Sequence, residues 1–254
     1  MPWNPEVYNQ YKSERAAPAL DLLALLNVRP GLTAVDLGCG TGDLTAKLAA
    51  TLPDARVLGV DSSAEMLVKS SETGSSSVNF ECISIEDQLK KSQQWDVVFS
   101  NAALQWVPDH ETLLPRIIST LKPGGQLLIQ MPPQHHNLTN RLLNELATKE
   151  PYSELYADWN RISPVLETGR YAEILFECGS QSMQVFEKIY PLVLKDVDSL
   201  LTWVSGTAII PYLERLPDPL KEPFIKDYRA LLASHFPKTP VFYAFKRILI
   251  EARF

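Results

Sequence analysis

Cysteine is scarce in this chain, and its placement excludes the commonest uses of the residue. The chain has three cysteines in 254 residues, Cys39, Cys82 and Cys178, far apart and without a CxxC pair. An odd number at such spacing argues against a disulfide framework and against a zinc site. We therefore expect a reducing, cytoplasmic setting and no bound metal.

Long apolar runs and a strong excess of one charge are also missing. No run approaches the ~18 apolar residues that span a bilayer, and the start, MPWNPEVYNQYKSER, has no apolar signal core. The formal net charge is −6, which argues against nucleic acid as the main partner because a phosphate backbone requires a basic face. A small anionic substrate stays open, since it needs only a few local cations. We expect a monomer or a weak dimer.

What is present is a regular alternation of short apolar runs and amphipathic stretches. We predict five strands, at 33–38, 56–61, 78–85, 95–101 and 126–131. Stretches whose apolar residues recur at helical spacing precede or follow them. Two further stretches, 182–194 and 245–254, alternate like strands. This rhythm predicts an α/β fold: a doubly wound, mostly parallel, seven-stranded Rossmann-like sheet with a helical cap.

The proline distribution and the change of pattern after Met131 divide the chain into six predicted segments. They are an N-terminal helical lid (1–30), a cofactor-binding α/β core (31–132), a helical insertion (133–168), a core helix and strand (169–190), a helical cap (191–240) and a closing strand (241–254).

The stretch AVDLGCGTGDL (34–44) places three glycines directly behind the first predicted strand. Their G-x-G-x-G spacing departs from the G-x-G-x-x-G of dinucleotide sites, and no GK[ST] follows as in a Walker loop. Asp43 places a carboxylate at the start of the next helix, where a pyrophosphate would otherwise bind. The stretch therefore disfavours an anionic ligand end.

A cationic amino-acid end suits Asp36 and the loop carbonyls better. Asp61 ends the second predicted strand, 19 residues past Gly42, where a carboxylate can accept from both ribose hydroxyls. Adenosine, ribose and a charged amino-acid tail together describe S-adenosylmethionine.

The motifs VDLGCGTG, GVDSS, SNAALQW and LKPGG, in this order, resemble those of class I S-adenosylmethionine-dependent methyltransferases. The start WNPEVYNQYKSERAAPALDLL, the stretch SNAALQWVPDHETLLPRI and the end FKRILIEAR are further similar to the trans-aconitate 2-methyltransferase family. The resemblance covers nearly the whole chain and is weakest across 133–190. It implies a methyltransferase that uses S-adenosyl-L-methionine.

The resemblance also implies a set of cofactor-binding residues. Asp36, Gly38 and Gly40 would line the methionine end, and Asp61 the ribose. The remaining candidates lie at or near the ends of strands two to four: Cys39, Ser62, Met66, Ser84, Ile85, Asn101 and Ala102. Met66 would lie against the adenine or pack in the core. Ser84 stands where the family has an acidic residue that accepts from the adenine amino group, and Glu86 or Asp87 could take that role.

An anionic acceptor calls for cationic and hydrogen-bonding side chains. The positioning candidates are Trp3, Tyr8, Arg15, Gln105, Trp106, His110, Trp203, Tyr243 and Arg247. Core packing is the alternative for Trp106 and Trp203, a solvated charge for Arg15, and a surface position on a helix for His110. Where the family tends to carry an arginine, in a sequence like GLRPWL, this chain reads TAIIPYL with Ile210. The substitution predicts weaker binding of a tricarboxylate.

The expected reaction is methyl transfer to a carboxylate of a small organic acid, trans-aconitate or a similar one. A carboxylate is ionised at neutral pH, so alignment and desolvation suffice and no general base is needed. Two alternatives remain. The acceptor could be a carrier-bound acyl group or a natural-product hydroxyl, which would need a base such as His110 or His135. The fold could also serve as a non-catalytic binding module.

Overall fold

The computed structural model describes residues 12–70, 76–134, 136–159, 163–206 and 208–254. Its helices are α1 Lys12–Ala24, α2 Asp43–Thr51, α3 Ala64–Ser70, α4 Ile85–Gln88, α5 His110–Ile118, α6 Leu138–Ala147, α7 Thr168–Glu177, α8 Val197–Ser205, α9 Ile210–Leu213 and α10 Asp218–His235. Short 3₁₀ turns cover Leu104–Trp106 and Ser153–Tyr156. The strands are β1 Thr33–Leu37, β2 Arg56–Asp61, β3 Val78–Cys82, β4 Trp95–Asn101, β5 Leu121–Met131, β6 Ser182–Leu194 and β7 Val241–Arg253.

One seven-stranded sheet runs in the order β3-β2-β1-β4-β5-β7-β6. Strands β1 to β5 pair in parallel, and β7 is antiparallel to β5. The predicted sheet is confirmed. The chain adds β2 and β3 on one side of β1 and then crosses to β4 on the other. The carboxyl ends of β1 and β4 therefore form the switch point at which ligands bind in such sheets.

Side chains of the central strands are buried on both faces of the sheet. Val35 and Leu37 of β1 pack in one apolar cluster with Ile117 and Tyr171. Ala34, which points the other way, packs in a second cluster, which contains Leu22, Leu48 and Phe99. Burial on both faces explains why the parallel strands are continuous apolar runs rather than alternating ones.

The described residues form two compact units. The core unit contains residues 17–133, 164–188 and 247–254, with the parallel strands and both clusters just described. The second unit contains residues 134–163 and 189–246 together with the start of α1, and has its own apolar cluster around Leu143, Tyr212, Phe224 and Tyr228. Strands β6 and β7 contribute residues to both units. The six-segment division predicted from sequence stays a prediction.

Strand ends differ by three or more residues from the sequence predictions at three places. The third strand ends at Cys82 rather than at residue 85, because Ser84 accepts a hydrogen bond from the Asp87 amide and caps α4. The fifth strand starts at Leu121 instead of residue 126, with a register shift opposite Trp95. The seventh begins at Val241.

No helix in the described part of the chain is both long enough and apolar enough to cross a membrane.

Candidate cofactor and acceptor site

The loop after β1 needs glycine for two different reasons. Gly38 has φ +78°, and a Cβ built on it would lie 2.2 Å from the Cβ of Ala103. Any side chain there would push the loop away from the turn that follows β4. Gly40 has φ +56°, and a Cβ there would have no heavy atom within 4 Å. The loop is therefore packed closely at Gly38 and leaves open space at Gly40.

Asp61 joins this loop to the end of β2. Its Oδ2 accepts from the backbone N–H of Gly40 at 2.9 Å, and its Oδ1 accepts from the N–H of Ser63 at 2.9 Å. Two backbone donors thus fix the orientation of the carboxylate. Each oxygen keeps capacity to accept a further hydrogen bond, as a ribose diol requires.

Asp36 is a buried carboxyl group near the same loop. Only 2% of the residue is exposed, and its Oδ2 accepts from the Thr45 hydroxyl at 2.6 Å. Burial raises the pKa of Asp36 to about 7, the Thr45 hydrogen bond works in the opposite direction, and the charge of Asp61 raises it further. A cation placed against Asp36 would restore its ionised form.

Cys39 lies between the two acidic residues in sequence and is buried. Burial, followed by the charges of Asp36 and Asp61, raises the pKa of its thiol far above the ordinary value. The raised pKa favours the protonated thiol, which disfavours Cys39 as a nucleophile. Among the described residues no group of three or more His, Cys, Asp or Glu side chains is arranged to hold a metal ion.

Beyond β3, some groups of the candidate residues for adenine are already hydrogen-bonded within the protein. The Ser84 hydroxyl donates to Asp87 Oδ2 at 3.0 Å and accepts from the Asp87 amide at 3.1 Å. A hydrogen bond from Lys90, followed by that from Ser84, lowers the pKa of Asp87. The Ser84 proton is therefore already used. Ile85 is buried and lies beside Gly38.

Helix α3 carries Met66 on an open surface. Met66 is 47% exposed, so it does not pack in the core, and Ser62 before the helix is also exposed. Of the two interpretations offered for Met66, core packing is wrong because the seven-residue helix turns this position to solvent. An exposed thioether at this edge can cover a flat apolar ring.

The turn after β4 holds four candidate residues. Ala102 has φ +53°, and its N–H donates to the Gln130 carbonyl at 2.8 Å. The Asn101 Oδ1 accepts from Gln130 Nε2 at 2.7 Å. Gln105 is buried and donates from Nε2 to the Ala102 carbonyl at 2.6 Å, whereas Trp106 is 55% exposed. The alternative that Trp106 packs in the core is wrong.

His110 is buried, with 3% of its surface exposed, although its position at the start of α5 suggested a surface residue. Its Nε2 lies 2.9 Å from the Leu104 carbonyl, and its Nδ1 lies 2.5 Å from the Tyr171 hydroxyl. Burial is the main cause that lowers the pKa of His110, so the ring is neutral at pH 7. Because both nitrogens have protein partners, His110 is not free to act as a general base.

The other acceptor candidates are dispersed. Trp203 and Tyr243 are buried in the apolar cluster of the second unit, where Trp203 meets Phe245 edge-on and the Tyr243 hydroxyl is 3.1 Å from Thr139 Oγ1. Arg247, in β7, is half-buried. Trp3, Tyr8 and His135 lie outside the described residues, as does the side chain of Arg15.

Sequence reasoning missed Thr45, Gln130 and Tyr171. Thr45 contacts Asp36 from the first turns of α2, Gln130 supports Asn101 from the neighbouring strand, and Tyr171 reaches His110 from α7. The positions of strand ends could have suggested Gln130. No sequence signal marks the other two, because their partners are nine and 61 residues away.

Comparison with known proteins identifies the family. A family model described as a methyltransferase domain matches residues 29–175. A trans-aconitate 2-methyltransferase from Deinococcus radiodurans is 43% identical, over 99% of this chain and 98% of that one. Another protein of that name, from Variovorax paradoxus, is 36% identical over 93% and 91% of the two chains. The chain belongs to the trans-aconitate 2-methyltransferase family.

The fold of this methyltransferase also occurs in a phosphoethanolamine N-methyltransferase from Haemonchus contortus, solved in complex with S-adenosyl-L-methionine. The TM-score is 0.55 at 18% identity, over 93% of this chain and 52% of that one. The methyltransferase family model and the relatives at 36–43% identity, rather than this likeness of fold, show that the chain is an enzyme of the methyltransferase class with S-adenosyl-L-methionine as its cofactor.

The loops of this methyltransferase fit that cofactor. Asp61 is held by two backbone donors with acceptor capacity left for a diol, and Gly40 leaves open space beside it. Asp36 is a buried carboxyl whose raised pKa leaves it receptive to a positive charge. Aspartate residues at two strand ends thus match the cofactor's ribose and its ammonium.

Proposed function

We propose that this methyltransferase esterifies a carboxylate of a small organic acid, trans-aconitate or an acid close to it. The observation that carries the proposal is the 43% identity to a trans-aconitate 2-methyltransferase over essentially the full length of both chains. The turn Ala102–Trp106 supports it, because this turn brings a buried amide and an exposed indole to the switch point of the sheet.

Different residues would hold the ribose, the ammonium group and the adenine of the cofactor. Asp61 accepts from the ribose hydroxyls and Asp36 receives the ammonium, with Gly38, Cys39 and Gly40 as the backbone beside it. Ser62, Met66, Ser84 and Ile85 surround the adenine, and Asn101 and Ala102 form the floor through backbone contacts. The cofactor supplies a methyl group on a positively charged sulfur, which is open to displacement by an oxygen nucleophile.

The protein's own part in the reaction is to align the acid and exclude water. The attacking carboxylate is already ionised, so no proton has to move. In agreement, His110, a buried histidine in the described part of the site, has both nitrogens engaged. Gln105 and Trp106 are the described side chains of the core unit best placed to orient the acid. The other candidates stay predictions from the sequence: Trp3, Tyr8, Arg15, Trp203, Tyr243 and Arg247. We propose a monomer or weak dimer in the cytoplasm.

The test is a transfer assay with methyl-labelled cofactor and trans-aconitate. We expect label in a product that loses it in mild base, as a methyl ester does. Label with a panel of monocarboxylic acids but not with trans-aconitate would exclude the tricarboxylate and keep the reaction. A base-stable product, or a requirement for a carrier protein, would instead favour the hydroxyl or carrier-bound acceptor.

Cofactor binding is tested separately, by calorimetry with S-adenosylhomocysteine. Asp61→Ala should weaken binding at least roughly tenfold, because it removes charge-assisted hydrogen bonds to the ribose. Asp198→Ala, which removes an exposed carboxylate paired with Arg229 in the second unit, is the control and should bind normally. Equal affinities of the two variants would show that the ribose is held elsewhere. No binding by the unmodified protein would favour a non-catalytic module.

A further inference from the structure

A buried chain of hydrogen bonds in the core unit connects two segments that are distant in sequence. The backbone N–H of Leu166 donates to the Tyr171 hydroxyl at 3.0 Å. That hydroxyl lies 2.5 Å from His110 Nδ1, and His110 Nε2 lies 2.9 Å from the carbonyl of Leu104. Tyr171 and His110 are both at least 97% buried. Water therefore cannot substitute for either partner without a rearrangement.

The partners decide where each hydrogen lies. A carbonyl oxygen only accepts, so the neutral His110 ring carries its hydrogen on Nε2 and donates it to Leu104. Its Nδ1 must then accept, and the Tyr171 hydroxyl supplies the hydrogen. The Tyr171 oxygen in turn accepts from the Leu166 amide. The Tyr171 hydroxyl also lies 3.7 Å from the sulfur of Met131, a weaker acceptor, so the contact of Nε2 with the Leu104 carbonyl is what specifies the tautomer.

At its other end, this series of hydrogen bonds fixes the turn that follows β4. Within the turn, Ala103 lies against Gly38 of the cofactor loop, and the Gln105 amide donates back to the Ala102 carbonyl. The Leu104 carbonyl, to which His110 donates, lies between these two contacts. A shift of Leu104 would therefore move Gln105 and Trp106, the side chains expected to face the acid.

We propose that His110 and Tyr171 are positioning residues for methyl transfer, which act by fixing Leu104 and thereby the acceptor-facing part of the turn. Neither residue needs to touch the substrate. This inference rests on the proposed function, because it assigns Gln105 and Trp106 to the acid. It explains why a histidine is buried in a site whose reaction requires no base.

Replacing His110 by glutamine or by asparagine removes its two hydrogen bonds one at a time. The side-chain amide of Gln reaches the position of Nε2, so His110→Gln keeps a donor for Leu104 and gives up the Tyr171 contact. The shorter Asn reaches only the position of Nδ1, so His110→Asn keeps the Tyr171 contact and gives up Leu104. Each variant retains one of two buried hydrogen bonds. We expect them to lose similar stability in urea denaturation.

Their kinetics should differ. His110→Gln should keep kcat/KM for the acid within about threefold of the unmodified enzyme, and His110→Asn should lose about tenfold or more, because a small displacement of aligned groups is costly. Most of the loss should appear in KM for the acid. Affinity for S-adenosylhomocysteine should change less than about twofold in both. Equal losses in the two variants, or losses that follow stability alone, would overturn the proposal.

Tyr171→Phe tests the other partner. It removes the hydroxyl that donates to His110 Nδ1 and leaves the Leu104 contact in place, so an intermediate loss of kcat/KM is expected. Tyr152→Phe is the matched control, since Tyr152 is an equally buried tyrosine of the second unit whose hydroxyl donates to Asp227 at 2.7 Å. This control should lose stability without a change in KM. A control that raised KM as much as Tyr171→Phe would contradict the proposal.

A direct readout does not depend on activity. The ring nitrogens of the protein's four histidines can be observed by NMR after ¹⁵N labelling, and the signal absent from His110→Gln is that of His110. We expect the Nε2–H tautomer in the unmodified protein and also in Tyr171→Phe, because the Leu104 carbonyl still accepts from Nε2; only the Nδ1 resonance should shift in the variant, which loses the donor to Nδ1. An Nδ1–H tautomer would overturn the inference even if trans-aconitate proves to be the substrate. If trans-aconitate is not methylated, the tautomer and the kinetics with any accepted acid still test the pair.

Discussion

The buried carboxyl group of Asp36, for which we propose a role in cofactor binding, has a cost for the stability of the fold that depends on pH. Burial raises its folded-state pKa to about 7, whereas an aspartate in an unfolded chain titrates near 3.9. The folded state therefore holds the proton more tightly, and the contribution of Asp36 to stability falls as pH rises from about 4 to about 7. Relative to Asp36→Asn, which does not titrate, the unmodified protein should lose about 2–3 kcal/mol between pH 5 and pH 8. Urea denaturation of both proteins measures this difference, and parallel pH profiles would contradict it.

From the sequence we expect Ile210 to stand where the family tends to carry an arginine, and we predict that this difference affects the charge of the accepted substrate. Ile210 begins α9, next to Pro211 and Tyr212. Ile210→Arg should lower KM for trans-aconitate severalfold, because a guanidinium can pair with a carboxylate. KM for a monocarboxylic acid should change less. Ile210→Met, which alters shape without adding charge, is the control. A KM for trans-aconitate that is the same in both variants would remove Ile210 as a determinant of substrate charge.

Elements of the core unit are joined by one buried amide in β5. The Gln126 Oε1 accepts from the Asn27 N–H at 2.9 Å, and its Nε2 donates to the Leu25 carbonyl at 3.0 Å and to Glu251 of β7 at 2.7 Å. Gln126→Leu keeps the volume but removes three hydrogen bonds, one of them to a buried carboxylate. We expect a loss of about 2–4 kcal/mol in the free energy of unfolding.

The buried hydrogen bonds of Gln126 can be compared with an exposed ion-pair network on α7. There Arg170 forms ion pairs with Glu111, Glu173 and Glu177. These partners are exposed, and Arg170→Ala should lower the free energy of unfolding much less than Gln126→Leu does, despite breaking three pairs. Both values come from the same urea experiment. Equal losses would show that burial does not distinguish the two networks.

The molecule as a whole should unfold as one system although it contains two compact units. Neither unit is a continuous piece of chain, and β6 and β7 contribute residues to both. We expect one transition in far-UV circular dichroism and in tryptophan fluorescence. S-adenosylhomocysteine at 100 times its dissociation constant should stabilise it by about 2.7 kcal/mol. Two transitions, only one of them shifted by the ligand, would refute this expectation. At the same ligand concentration Asp61→Ala, which binds about tenfold more weakly, should be stabilised by only about 1.4 kcal/mol.

Local sequence signals predicted well where the chemistry is local. The glycines of 38–42 and the carboxylates at two strand ends follow from backbone geometry and ligand charge, and the structure places Asp61 on the Gly40 amide. Prediction was wrong where a side chain competes with the regular pattern. Strand β3 ends earlier than predicted because Ser84 caps α4. His110, at the start of α5, points inward and contacts Tyr171, which is 61 residues away.

The amino-acid sequence by itself determined the class of sheet, the family and the kind of cofactor. Those depend on periodicity, on close backbone approach and on a few charges, all of which are visible in short stretches. Only the tertiary structure decided which groups are buried and with which partners. It placed Asp36 where burial raises its pKa, engaged both nitrogens of His110, and exposed Met66 and Trp106. Burial and hydrogen-bond partnership depend on segments that meet only after folding, because desolvation is set by every neighbour at once.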